Sequence, residues 1–227
     1  VYTNSTKPSL LADLNAVEWN IGHEVSMEPV DSRMADLEMS MTGKTGTGTY
    51  KQRLASLSKA SFGTAVLPLE QVRVPAETLI KVALVTPVDS DNLKVGDTIR
   101  YKIADDVSVN GKLVFAMGLP GEGTVTKVKQ ARNFGRNAEV NIDFNKTKSI
   151  DGTYVDTYVG EEAKKEMKNL AMAAGASLAG IAVLGPIGIV AGAFVHGKDV
   201  RLPAGTELYI QTKADTTLYG VVTTQAQ

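Results

Sequence analysis

Cysteine is absent from the 227 residues. Disulfides, thiolate metal sites and cysteine nucleophiles are therefore excluded together, although the compartment is not thereby decided. Histidine is nearly absent: His23 and His196 stand alone, and neither has a second ligand at metal spacing. An excess of charge of either sign is also missing. Twenty-four basic residues face 25 acidic ones, for a net charge of -1, and no dense Lys/Arg cluster occurs. We therefore expect no nucleic-acid partner.

Catalytic motifs are equally scarce. Gly43-Lys44-Thr45, within TGKTGTGT (42–49), is the tail of a phosphate loop, but position 38 is Glu where that motif needs Gly. The segment reads as a flexible polar loop. The acid pairs Asp89/Asp91, Asp105/Asp106 and Glu161/Glu162 fall at expected turns or a helix start, where solvated carboxylates belong. DSDN (89–92) lacks the downstream bidentate Glu of a calcium loop, and Arg132 and Arg136 around NFGR read as solvated surface. No nucleophile–base–acid set emerges. We expect no enzymatic activity, no cofactor, no metal and no small-molecule substrate.

What is present is a β pattern. The chain is 43% hydrophobic and long enough for a sizeable core. ETLIKVALV (77–85) is a nearly continuous apolar run, and TIRYKI (98–103) alternates strictly, with Ile99, Tyr101 and Ile103 on one face. Asn110-Gly111 inside DVSVNGKLVF is a strong hairpin signal, because both central residues of a type I′ turn need positive φ. AEVNIDFN (138–145), a turn at Asp151-Gly152, TYVDTYV (153–159) and DVRLPAGTELYIQT (199–212) continue the series. VPAETLIKV (74–82) and LPAGTELYI (202–210) share a phrase that we read as two similar corners between strands; VFAMGLPGEGTVTKV (114–128) is a looser third. The fold class is mainly β, a small antiparallel barrel or sandwich, with an inserted apolar α-helical hairpin and an N-terminal arm.

The domain organisation follows. Residues 1–62 form the arm, 63–222 the β domain with the insertion at 161–197, and 223–227 a C-terminal tail. In the arm, Leu10, Leu14, Val17 and Ile21 recur at helical spacing, as do Met34, Leu37 and Met41. It shows no obvious core of its own, so we expect it to order against the rest of the chain or against another subunit.

The insertion holds a long stretch without a charge, the 26 residues from Leu170 to Val195. EEAKKEMK (161–168) starts a helix ahead of it, with Glu161 and Lys165 placed to pair at i,i+4. Gly185-Pro186 breaks the run into arms of about 22 and about 14 Å at helical rise. A hydrocarbon core needs roughly 30 Å, so a returning hairpin is expected rather than a transmembrane span. Ala176 and Gly180, then Gly188 and Gly192, lie at small-xxx-small spacing, with Gly175, Gly185 and Pro186 nearby; such faces admit close helix packing. These seven residues, with Leu10, Leu14, Val17 and Ile21 of the arm, are the candidate interaction residues.

The order of DDVSVNGKLVFAMGLPGEGTV, QARNFGRNAEVNIDF, SIDGTYVDTYV, an apolar hairpin and GKDVRLPAGTELYI resembles the periplasmic β-barrel domain of the TrbI-like core-scaffold family of type IV secretion and conjugation channels. It is similar also to bacterial envelope domains that pair this strand pattern with a glycine-rich hairpin. The resemblance covers about residues 74–222, and residues 116–119 read Ala-Met-Gly-Leu where such proteins have a Pro-x-Gly-Thr corner. It implies a ring-forming barrel whose hairpins project toward the outer membrane. The chain opens on Val1 rather than Met, which agrees with either a removed secretory leader or a fragment; with the resemblance, we expect an exported protein of the periplasm, outer membrane or cell surface.

Three readings of function follow. The first is a non-enzymatic envelope protein that forms homo-oligomers through hairpin and arm, with the outer membrane as a further contact. The second is a subunit of an extracellular filament or pilus-like appendage built by exchange of the N-terminal arm. The third is a monomeric ligand-binding barrel with the hairpin as a lid.

Overall fold

A computed structural model describes residues 8–130, 138–173, 181–182, 190–191 and 199–223. The first elements are three helices of 13 residues each, α1 (Leu10–Gly22), α2 (Val30–Thr42) and α3 (Tyr50–Phe62). Their starts are 20 residues apart, and each ends on a left-handed residue, His23, Gly43 or Gly63. Ser9 caps α1 by accepting from the Ala12 amide at 3.1 Å, and Thr49 with Gln52 forms a capping box on α3. The fifth helical residues (Leu14, Met34, Leu54) and the eighth (Val17, Leu37, Leu57) close into one buried cluster. The expectation that this segment lacks its own core is thus corrected: each 20-residue unit supplies two core residues, too few to show as a core until three units meet.

Polar residues repeat with the same period. Arg33, fourth in α2, donates through Nε (2.9 Å) and Nη2 (2.5 Å) to Glu18, ninth in α1. Arg53, fourth in α3, donates twice to Glu38, ninth in α2, at 2.7 Å each. Each unit therefore clasps the one before it. The first unit carries Asp13 at the arginine position and the third carries Ser58 at the glutamate position, so the ladder ends at both sides.

The β elements follow: β1 (Leu69–Val74), β2 (Leu79–Leu84), β3 (Val88–Asp89), β4 (Thr98–Ile103), β5 (Val107–Val109), β6 (Lys112–Phe115), β7 (Pro120–Lys129), β8 (Glu139–Lys148) and β9 (Tyr154–Tyr158). After α4 (Glu161–Ala173) come β10 (Ile181–Ala182), β11 (Val190–Ala191), β12 (Arg201–Leu202), β13 (Glu207–Thr212) and β14 (Thr216–Val222). Six strands close a barrel in the order β13-β2-β4-β7-β8-β9, antiparallel throughout. A second sheet runs β1-β14-β6-β5, and β12 pairs with β3. The mainly β class with a small antiparallel barrel is what the alternation predicted.

Alternation also fills the barrel. Ile99, Tyr101 and Ile103 of β4 and Val140, Ile142 and Phe144 of β8 are buried, whereas Thr98, Arg100, Glu122 and Thr126 on the outward side are exposed and polar. Gly121 makes room for the Tyr101 ring: a Cβ there would stand 2.1 Å from Tyr101 Cε2. The Tyr101 hydroxyl joins a buried chain with Thr147 (2.9 Å) and Thr157 (3.1 Å beyond it), and burial pushes its phenol up to about 12. Asn110 (φ 50°) and Gly111 (φ 72°) form the tight turn between β5 and β6 as expected.

The helical unit docks on one end of the barrel. Asn15 Nδ2 donates to the Ile150 carbonyl (2.9 Å), Trp19 Nε1 to Asp106 (2.8 Å) and the Val25 amide to the Met117 carbonyl (2.8 Å). Asp106 also accepts from the Met117 amide at 2.7 Å, so it anchors two segments rather than being only solvated.

Candidate assembly surface

The insertion has a defined root. β9 and β13 are neighbours in the barrel, with Gln211 opposite Tyr158 and Thr212 opposite Thr157. The chain leaves after β9 through α4 and comes back through β12 into β13. Departure and return thus lie at one wall, which is why a single crossing cannot serve: the barrel closes only if the chain comes back. On return, the Val200 amide donates to Ser90 Oγ (3.1 Å), the Ser90 amide donates to the Val200 carbonyl (3.0 Å), and Arg201 pairs with Asp91 at 3.2 Å. Asp89, meanwhile, accepts from the Asp91 amide at 3.0 Å and shapes its own turn.

α4 forms because Glu161, Glu162, Ala163, Lys164 and Lys165 are helix formers with acids in the first turn, where the helix dipole favours them. Its buried face, Ala163, Lys164 and Met167, packs toward β13. The ion pairs are Glu161–Lys164 (2.5 Å) and Glu162–Lys165 (3.6 Å), both i,i+3, which corrects the expected Glu161–Lys165 pair. Further along, Ile181 pairs with Ala191 and Ala182 with Val190 in an antiparallel β ladder, and β11 runs beside β8. A hairpin is present, but at these four positions it is strand and not helix. The physical reason is composition: β-branched residues and glycine on both sides of Gly185-Pro186 weigh against helix and for extended pairing.

Of the expected interaction residues, Gly175, Ala176, Gly180, Gly185, Pro186, Gly188 and Gly192 lie outside the described residues, as do His196, Arg132 and Arg136. In the arm, Leu14 and Val17 are 1% and 0% exposed, inside the helical core. They hold the chain to itself, so a subunit contact through them would require the unit to open. Leu10 and Ile21 are on the surface, at 50% and 38% exposure. Among the described residues no helix is long and apolar enough to cross a membrane.

TGKTGTGT is shaped by an internal carboxylate. Glu38 accepts from the Gly46 amide at 2.7 Å while paired with Arg53, whose guanidinium holds its carboxyl below the usual range. The Gly46 amide is thereby occupied, and the loop is tied down rather than free.

Two sets of residues escaped the sequence reading. The Arg–Glu clasps were signalled by Arg-Met-Ala-Asp-Leu (33–37) recurring as Arg-Leu-Ala-Ser-Leu (53–57). The second set lies at the root of α4. Glu77 accepts from the Tyr158 hydroxyl and from Gln211 Nε2 (2.6 Å), and Gln211 Oε1 accepts from the Ala163 amide (3.1 Å). No local sequence pattern joins positions 77, 158 and 211.

Neither a protein-family model nor a curated protein matches the chain. Among solved structures it is similar to ComB10 of the Com type IV secretion system of Helicobacter pylori, at 13% identity and a TM-score of 0.34, over 63% of this chain and 88% of that one.

Proposed function

We propose that the chain is a non-enzymatic structural protein of the bacterial cell envelope that associates with copies of itself through the apolar insert, as a scaffold ring. The observation that carries this reading is the root of the insert. A run of 26 uncharged residues leaves and re-enters between adjacent strands of a barrel whose outward side is polar and whose interior is already filled. Side chains of the barrel's own strands fill its interior, and an uncharged segment of this length fits a contact surface. Its small residues suit close approach between neighbouring copies. The family resemblance supports the envelope and adds the outer membrane as a second contact. Tyr101 and Phe144 occupy the space that a ligand under a lid would need, and arm exchange would have to break the bonds of Asn15 and Trp19 to the barrel. Both weigh for the insert as the element of assembly.

The test is mass photometry with electron microscopy of the intact chain and of a variant in which residues 174–198 are replaced by a short Gly/Ser linker. Closed oligomers in the intact chain and monomers in the variant are expected. A monomeric intact chain at all concentrations, or a variant that assembles like the parent, overturns the proposal.

A further inference from the structure

Three corners of the β domain share one backbone shape. Pro75-Ala76-Glu77-Thr78, Pro203-Ala204-Gly205-Thr206 and Ala116-Met117-Gly118-Leu119 each place their third residue at positive φ, 65°, 84° and 90° in turn. Glycine takes this conformation without strain, and two of the corners use it. The third has Glu, a residue that rarely adopts the left-handed region. A Cβ at Gly205 would meet nothing within 4 Å, yet positive φ strains any L side chain, so the backbone alone gives no reason for Glu at 77.

The side chain supplies one. Both carboxylate oxygens of Glu77 are used, one by the Tyr158 hydroxyl of β9 and the other by Gln211 Nε2 of β13. Gln211 is fully buried, and its Oε1 accepts from Ala163 in the first turn of α4. Gly160, just before α4, lies so close that a Cβ would stand 2.1 Å from Gln211 Oε1 and 2.9 Å from the Tyr158 hydroxyl. Corner, both strands flanking the insert and the helix that begins it are therefore joined through one carboxylate and one amide.

We infer that Glu77 is a positioning residue: its carboxylate orients Gln211 and Tyr158 and so clamps α4 at the point where the insert leaves the barrel. The clamp is a property of the single chain; its bearing on assembly rests on the function proposed above. The phenol of Tyr158, pushed up to about 12 chiefly by its bond to Glu77, agrees with a carboxylate held in place.

Glu77→Gly separates the two roles of the residue, since it relieves the backbone and removes only the clamp. Hydrogen exchange of the peptide covering 161–173 should become about fivefold faster or more, as expected for losing a charge-assisted bond near the surface. The thermal midpoint of the barrel should hold or rise. The Tyr158 phenol, read as the ultraviolet titration difference from a Tyr158→Phe variant, should fall back toward its ordinary value. Exchange in α4 at the parental rate, or an unchanged phenol titration, overturns the clamp. Mass photometry of the same samples keeps the two ideas apart: a monomeric parent whose α4 loosens in Glu77→Gly sinks the assembly reading and leaves the clamp standing.

Discussion

Replacing Arg33 by Met keeps most of the side chain's length and removes the guanidinium from the first helix clasp. Three donated bonds disappear, at 2.9 and 2.5 Å to Glu18 and 2.7 Å to Asn15. The pair is sheltered, with side-chain exposures of 6% for Arg33 and 11% for Glu18. What remains is a sheltered carboxylate without its partner, and breaking a buried pair from one side costs about 3–5 kcal/mol. At about 2–4 °C per kcal/mol for a chain of this size, the midpoint should fall by about 6–20 °C if helices and barrel unfold together. They should, because Asn15 bonds both Arg33 and the barrel carbonyl of Ile150. The double variant Arg33→Met/Glu18→Met removes both charges and refills the space, and should recover to within about 1 kcal/mol of the parent. Urea and thermal unfolding followed by circular dichroism read all three proteins. A loss below about 1 kcal/mol for Arg33→Met would equal that of an exposed ion pair and refute the clasp. So would a double variant no better than the single one.

Two further outcomes follow from named contacts. Gly121→Ala puts a methyl 2.1 Å from the buried Tyr101 ring, so its urea midpoint should drop by the equivalent of about 1–3 kcal/mol, and Tyr101→Leu in the same chain should recover part of it. Asp13, half-buried, has its carboxyl raised by burial from 3.8 to about 6. Between those values the unfolded chain has released the proton that the folded chain keeps, so stability falls as pH rises through the window. Asp13→Asn should flatten that slope, and thermal midpoints of both proteins from pH 4 to 7 would show a gap that widens up to about pH 6 and then stays constant; parallel curves would refute it.

The β strands were readable because burial on one side of a sheet imposes a period of two, and β4 and β8 carry it without interruption. The Asn110-Gly111 turn was readable because few residues accept its φ values. The phrase Pro-Ala-x-Thr marked two true corners, and Gly118 shows that Ala-Met-Gly-Leu makes the same one. The helical repeat was harder to see. Its period survives in two hydrophobic positions and an Arg, while Asp13 and Ser58 break the pattern at each end. Hydropathy and small-residue spacing suit a helical insert, but they do not distinguish helix from strand in a glycine-rich segment, and Ile181–Ala182 pair with Val190–Ala191 as strands.

Local chemistry by itself determined that this chain makes an antiparallel β domain with tight turns, has no thiol chemistry, and sends out an apolar segment that must return. Those properties follow from side-chain period, backbone preference and composition, all of which act over a few residues. Tertiary structure alone decided which distant groups meet. Arg33 finds Glu18 only when two helices pack, and Glu77 finds Tyr158 and Gln211 only when β9 and β13 lie side by side to close the barrel. A buried charge or a strained glutamate has no signature in a linear sequence, because its partner is set by the whole chain's closure.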